Sequence, residues 1–202
     1  MDRLGIFGGT FDPPHRGHLV LAEEAALQLN LDLVLWVLTP DPPHKRSRKI
    51  TPWQFRLEMV KAAISSNPKF AISRVDIDRP PPHYAVDTVH LLRKNYPSSE
   101  LVYLLGGDSL RDLPDWHTPE LFLASIDWVG IMRRPHVKYQ LEILEKVLAG
   151  ISKKILWIDA PLIDISSTRL RKSLSINLTR TEELPDAVYH IIKKHKLYQR
   201  HQ

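Results

Sequence analysis

Between Gly8 and His18 the chain reads Gly-Gly-Thr-Phe-Asp-Pro-Pro-His-Arg-Gly-His, and these residue types at this spacing can hold a polyanion. Gly8 and Gly9 let a backbone approach a phosphate closely. The segment runs straight into a helical pattern beginning near Leu19, and a helix N-terminus offers N–H groups and partial positive charge. His15 and His18 stand three residues apart at that entrance, so both imidazoles can project toward the same phosphates. Asp12, ahead of Pro13, suits a turn-fixing role better than metal binding. Neither a Walker-type G-x-x-x-x-G-K-[ST] loop nor a G-x-G-x-x-G turn occurs. A second turn, Ile165-Ser166-Ser167-Thr168-Arg169-Leu170-Arg171, places Ser166 or Ser167 where it can cap a helix, which taken alone is an ordinary N-cap. The basic stretch from His44 to Lys49 reads either as a solvated loop or as a cationic segment facing phosphates.

Positioning these groups falls to alternating strands and helices. Short β-type runs are expected at 3–8, 32–38, 70–77, 101–105, 127–132 and 154–158. Between them Leu19, Ala22, Ala26 and Leu29 repeat at helical spacing, as do Trp53, Leu57, Val60 and Ile64. Thr51 is expected as the N-cap of the second helix, with Pro52 at its first position and 40–50 as a loop. Further helices are expected at 84–95, 138–149 and from Pro185 to Lys196, the last with Val188, Ile191 and Ile192 inward. This order predicts an α/β fold: a Rossmann-like, open, mostly parallel sheet with helices on both faces. Residues 1–202 are read as a single domain, including a C-terminal helical segment from about 166. In such sheets ligands bind beyond the carboxyl ends of the strands, which is where the Gly8–His18 turn falls.

With 202 residues and 43% apolar content the chain can bury a real core. It has no cysteine, which excludes disulfides and thiolate metal sites. The N-terminus shows no signal-peptide pattern, and a cytoplasmic location is the expectation. A net charge of +5 suits small polyphosphates as well as nucleic acid. The absence of an aromatic-rich recognition surface argues against a nucleic-acid binder.

On these residues the chain resembles the nucleotidyltransferase superfamily of adenylyl- and cytidylyltransferases. Pro42-Pro43-His44-Lys45, Tyr84 with Asp87-Thr88, and Gly106-Gly107-Asp108-Ser109-Leu110 through Leu113-Pro114-Asp115-Trp116 narrow the resemblance to the bacterial nicotinate mononucleotide adenylyltransferases. The resemblance implies ATP as co-substrate with Mg²⁺, nicotinate mononucleotide as acceptor, and no metal site of the protein's own. It implies that His15, His18 and Lys45 act on the reacting phosphates, with Gly8, Gly9, Thr10 and Phe11 shaping the site between adenylate and acceptor. Ser166, Ser167, Thr168 and Arg171 would bind the triphosphate. Gly106 and Asp108 would adjoin the ATP ribose, although Asp108 could serve a metal-bound water or merely cap a turn.

On the acceptor side the resemblance implies Thr10, Lys45, Tyr84 and Arg134. Trp116 would stack on the pyridine ring, and backbone N–H groups near Thr88 and His117 would hold its carboxylate. Trp116 read by itself is equally a partly buried loop aromatic. Two departures, His83-Tyr84-Ala85 for the usual Ser-Tyr-Thr and Asp41 for an asparagine, fall on this side and bear on the choice of nicotinate over nicotinamide. A nicotinamide mononucleotide enzyme and a noncatalytic nucleotide sensor are the alternatives, and a sensor would not need His15, His18, Lys45 and Arg171 together. A pantetheine-phosphate enzyme is disfavoured by Trp116. The partners implied are small molecules, with no nucleic acid and no membrane; whether copies assemble into a homo-oligomer is left open.

Overall fold

The apolar alternation of the six runs becomes two cores, one on each face of a sheet. A computed structural model describes residues 2–42, 50–133, 139–161, 165–177 and 179–199, with the side chain of Asp108 outside that description. The strands are β1 (Arg3–Gly9), β2 (Leu33–Leu38), β3 (Phe70–Ser73), β4 (Glu100–Gly106), β5 (Trp128–Met132) and β6 (Ile155–Ile158). They pair in parallel in the order β3-β2-β1-β4-β5-β6. Phe7, Val34, Trp36, Val102, Leu104 and Ile158 face one core, while Leu4, Ile6, Leu35, Val37, Leu101, Leu105 and Val129 face the other. Successive residues of a strand point to opposite faces, so runs that are apolar throughout must be covered on both.

The first core is covered by α1 (Arg16–Gln28), α2 (Trp53–Ile64), α7 (Ser167–Ile176) and α8 (Asp186–Lys194). The second is covered by α3 (Ala85–Asn95), α4 (Gly107–Asp112), α5 (Pro119–Ser125) and α6 (Leu141–Val147). Val188 and Ile192 are fully buried, as the spacing in the last helix predicts.

Several boundaries differ from expectation. β3 stops at Ser73, where its pairing with Val37 ends, and the Asp78 N–H closes a turn onto the Arg74 carbonyl. The first helix starts at Arg16, ahead of Leu19. Pro52 itself caps α2, its carbonyl accepting from Phe55 and Arg56, so Thr51 lies one position outside. The sixth helix is shorter than 138–149, because Gly150 at φ 87 turns the chain into a 3-10 turn at Ile151–Lys153. α8 is likewise trimmed to Asp186–Lys194. No helix among the described residues is long and apolar enough to cross a membrane.

Candidate active site

The strand order reverses between β1 and β4, and the sheet opens there. β1 pairs with β4 only as far as Ile6 opposite Tyr103, yet it continues along β2 to Gly9 opposite Leu38. β4 meanwhile follows β5 to Gly106 opposite Met132. A notch therefore separates Phe7–Gly9 from Leu104–Gly106 at the carboxyl ends of the strands, the topological switch point at which open α/β sheets bind ligands.

The protein's own packing requires Gly8, Gly9 and Gly107, though not Gly106. A Cβ on Gly8 would lie 2.5 Å from the Tyr103 hydroxyl, and one on Gly9 would lie 2.8 Å from the Phe11 ring. A Cβ on Gly106 would meet nothing within 4 Å, whereas one on Gly107 would strike the Tyr139 hydroxyl. Phe11 adopts φ 48, a left-handed backbone that is uncommon for an aromatic residue. That conformation costs on the order of 1 kcal/mol and persists only where packing over-determines it. Here Phe11 is 2% exposed, and its ring meets Phe7, Trp36 and His18 at centroid distances of 5.4, 5.1 and 5.2 Å.

The two histidines stand together, as their spacing predicts, with rings stacked at 3.7 Å. His15 caps α1 and its backbone N–H donates to His18 Nδ1 at 3.2 Å. A neutral ring that accepts at Nδ1 carries its proton on Nε2, so His18 is fixed as a donor from that atom. His15 is buried, and loss of hydration lowers its pKa to about 4, which keeps it neutral at physiological pH. The helix entrance is less open than the sequence implies, because the Arg16 N–H already donates to the Glu183 carbonyl at 3.0 Å.

The second turn docks on the first. Ser166 is the N-cap of α7 and accepts from the Arg169 N–H at 3.2 Å. Ser167 Oγ donates to the Pro13 carbonyl at 3.0 Å, and Arg171 donates to the Asp12 carbonyl at 2.8 Å and to Thr168 Oγ1 at 3.3 Å. Asp12 fixes the turn, as its place before Pro13 implies: Oδ1 accepts from Tyr198 and Oδ2 from the Thr51 N–H.

Arg56, which the sequence reading passed over, ties the neighbouring loop down. It is 1% exposed and donates to the carbonyls of Thr10, Thr39, Pro40 and Thr51 at 2.6 to 2.9 Å. Burial lowers its pKa, which the nearby Asp12 opposes. The signal was an arginine inside the apolar stripe of α2, between Trp53 and Leu57.

On the other side of the notch Trp116 is half-buried, held edge-on by Tyr103 and Phe122 at 5.9 and 5.2 Å. Tyr84 and His117 stack face to face at 3.9 Å, a contact that the sequence did not announce. Thr88 serves the interior: its hydroxyl lies 2.8 Å from Asp76 Oδ1, and its N–H donates to the Tyr84 carbonyl. The N–H groups that α3 leaves without an intrahelical acceptor are thus those of its first three residues. Burial raises the pKa of Asp76, against the hydrogen bonds from Thr88 and Arg79. Arg79 also donates to the carbonyls of Pro82 and Tyr84, fixing the approach to α3. His83 is buried, with ring nitrogens 3.4 Å from the Asp41 carbonyl and 3.3 Å from that of Arg79. Lys45, Arg134 and the Asp108 side chain lie outside the described residues.

The class comes first from a family model described as cytidylyltransferase-like, which matches residues 6–173 and so spans both strand-to-helix turns. A relative called a probable nicotinate-nucleotide adenylyltransferase, from Thermomicrobium roseum, is 42% identical over 198 residues, covering 98% of this chain and 92% of its own. The nicotinate-nucleotide adenylyltransferase of Bacillus subtilis is 35% identical over 201 residues, covering 98% of this chain and all of its own. The chain belongs to the nicotinate-nucleotide adenylyltransferases, within the cytidylyltransferase-like family. Its fold matches that of a Plasmodium falciparum nicotinic acid mononucleotide adenylyltransferase complexed with APC, at a TM-score of 0.77, 20% identity and 98% coverage of both chains. Nucleotidyltransferases of this kind generally use a divalent metal with ATP.

Proposed function

We propose that this protein transfers the adenylyl group of ATP to nicotinate mononucleotide, giving nicotinate adenine dinucleotide and pyrophosphate in NAD biosynthesis. The observation that carries this reading is the convergence of the two strand-to-helix turns on the Asp12–His15 bend, beside the notch, in a chain of this family. A phosphate oxygen of the acceptor attacks the α-phosphorus of ATP; that P–O bond forms as the bond to the bridging oxygen of the pyrophosphate breaks. A phosphate monoester has a second pKa of about 6, so its oxygen is ionised at neutral pH and needs no general base.

The histidines are therefore donors. His18, protonated at Nε2, and neutral His15 stabilise charge that develops on the α- and β-phosphates. Ser166, Ser167, Thr168 and Arg171 border the triphosphate, Gly8 to Phe11 separate adenylate from acceptor, and Gly106 and Asp108 adjoin the ribose. Lys45 neutralises the reacting phosphates, and Arg134 binds the acceptor phosphate. A divalent metal such as Mg²⁺, bound with ATP, would supply further charge neutralisation beside these residues. Trp116 takes the pyridine ring on its indole face, while the start of α3 and His117 receive the carboxylate. Residues 1–202 act as one unit, since α7 and the segment after α8 both bond to the first turn.

Incubation with Mg-ATP and nicotinate mononucleotide should give nicotinate adenine dinucleotide and pyrophosphate in equal amounts by mass spectrometry and phosphate assay. Trp116→Ala should raise KM for the acceptor about tenfold with KM for ATP unchanged, the scale of one lost aromatic stack. A product other than the dinucleotide would reject the reading, and an unchanged acceptor KM would reject the role of Trp116.

A further inference from the structure

The described chain ends in a segment that reaches back beneath the first turn. After α8, Tyr198 adopts φ 66 and places its hydroxyl 2.7 Å from Asp12 Oδ1, where it donates. The other carboxylate oxygen, Asp12 Oδ2, accepts from the Thr51 N–H at 3.3 Å. Asp12 is 5% exposed, so its carboxylate depends on these donors and on the charge of nearby Arg56. Arg56 in turn holds the carbonyls of Thr10, Thr39, Pro40 and Thr51, and Arg171 holds that of Asp12. One buried junction thus joins the first turn, the approach to α2, the second turn and the end of the chain.

We propose that Tyr198 is a positioning residue for adenylyl transfer, acting through Asp12 to hold the Thr10–His18 turn in its working geometry. Burial raises the pKa of the phenol, so it stays protonated and a donor at neutral pH. Tyr198 lies beneath the turn, so its loss should cost turnover and leave substrate affinity nearly intact. Misplacement of reacting groups by fractions of an ångström is enough to slow a transfer markedly.

The proposal rests on the adenylyl-transfer reading, and the test separates the two. Tyr198→Phe keeps the ring and removes the donor; Asp12→Asn weakens the same bond from the acceptor side should the first variant fail to fold. Well below the melting temperature, each should lower kcat about tenfold with both KM values within about twofold. Tyr198→Phe combined with Asp12→Asn should be no slower than the slower single variant, because both cut one interaction. The imidazole ¹⁵N resonances of His15 and His18 should shift in each single variant without substrate. Unmoved imidazole resonances, or an unchanged kcat in a folded variant, would overturn the proposal. If the wild type shows no turnover, the adenylyl-transfer reading fails and the imidazole spectra alone decide whether Tyr198 positions the turn.

Discussion

His15 pairs an imidazole with a site that excludes water, and this has a measurable consequence without any substrate. Its pKa falls from 6.5 to about 4 on folding, so between those values the unfolded chain binds the extra proton and the folded one does not. Stability from this group is intact above about pH 6.5 and drains away as pH falls toward 4, by on the order of 3 kcal/mol. Urea unfolding across that window should show the loss, and His15→Gln, which cannot titrate, should remove this component of the slope. A slope that the variant leaves unchanged would mean that His15 is hydrated in the free protein. The spacing of His15 and His18 was legible in the sequence, because three residues at a helix entrance put two rings on one side. The burial of His15 and the packing of the stacked pair, with His18 against Phe7 and Phe11, were not, since they depend on residues arriving from a strand and a turn.

At the scale of elements, the β1 wall of the notch carries glycines whose missing side chains make room for Tyr103 and Phe11. Gly8→Ala would drive a methyl into the Tyr103 hydroxyl at 2.5 Å, while the next ring atom stands at an ordinary 3.4 Å. The variant should lose on the order of 1–3 kcal/mol by overpacking, and Gly8→Ala with Tyr103→Phe should regain most of it in thermal unfolding. Failure of the second change to rescue would mean that Gly8 is needed for something other than this contact. Arg56→Met keeps most of the volume of the side chain but strands four carbonyls. It should lower stability by on the order of 3 kcal/mol, roughly 6–12 °C in Tm for a chain of this size. The six strands and the helices on both faces were readable because runs such as Leu33–Leu38 are apolar at every position, which only a doubly covered sheet satisfies. Element ends were less readable. β3 stops at Ser73, one residue before the end of β2 at Leu38, as the chain turns at Arg74–Asp78, and Asp76 is claimed by Arg79 and Thr88, neither of which leaves a mark in local sequence.

For the whole molecule, the strand order β3-β2-β1-β4-β5-β6 brings segments over 150 residues apart onto one bend, so that Arg171 and Tyr198 both bond to Asp12. The sequence showed two strand-to-helix turns but no distance between them; their meeting is set by where α7 lands on the first turn and α8 on α2. The residues of the proposed acceptor side, Tyr84, Trp116 and His117, could be named from the sequence, and the structure adds the Tyr84–His117 stack at the start of α3. If the proposed acceptor assignment holds, that arrangement should favour a flat ring bearing an anionic group over one bearing a neutral amide, because N–H groups at a helix start attract negative charge. The most direct test is pyrophosphate release from Mg-ATP with nicotinate mononucleotide, nicotinamide mononucleotide and 4′-phosphopantetheine in one assay, with His18→Ala as control. The account predicts rapid turnover with nicotinate mononucleotide, far slower turnover with the other two, and a loss on the order of 100-fold in the variant. Preference for nicotinamide mononucleotide would contradict the acceptor assignment, and full activity in His18→Ala would contradict the account of the site.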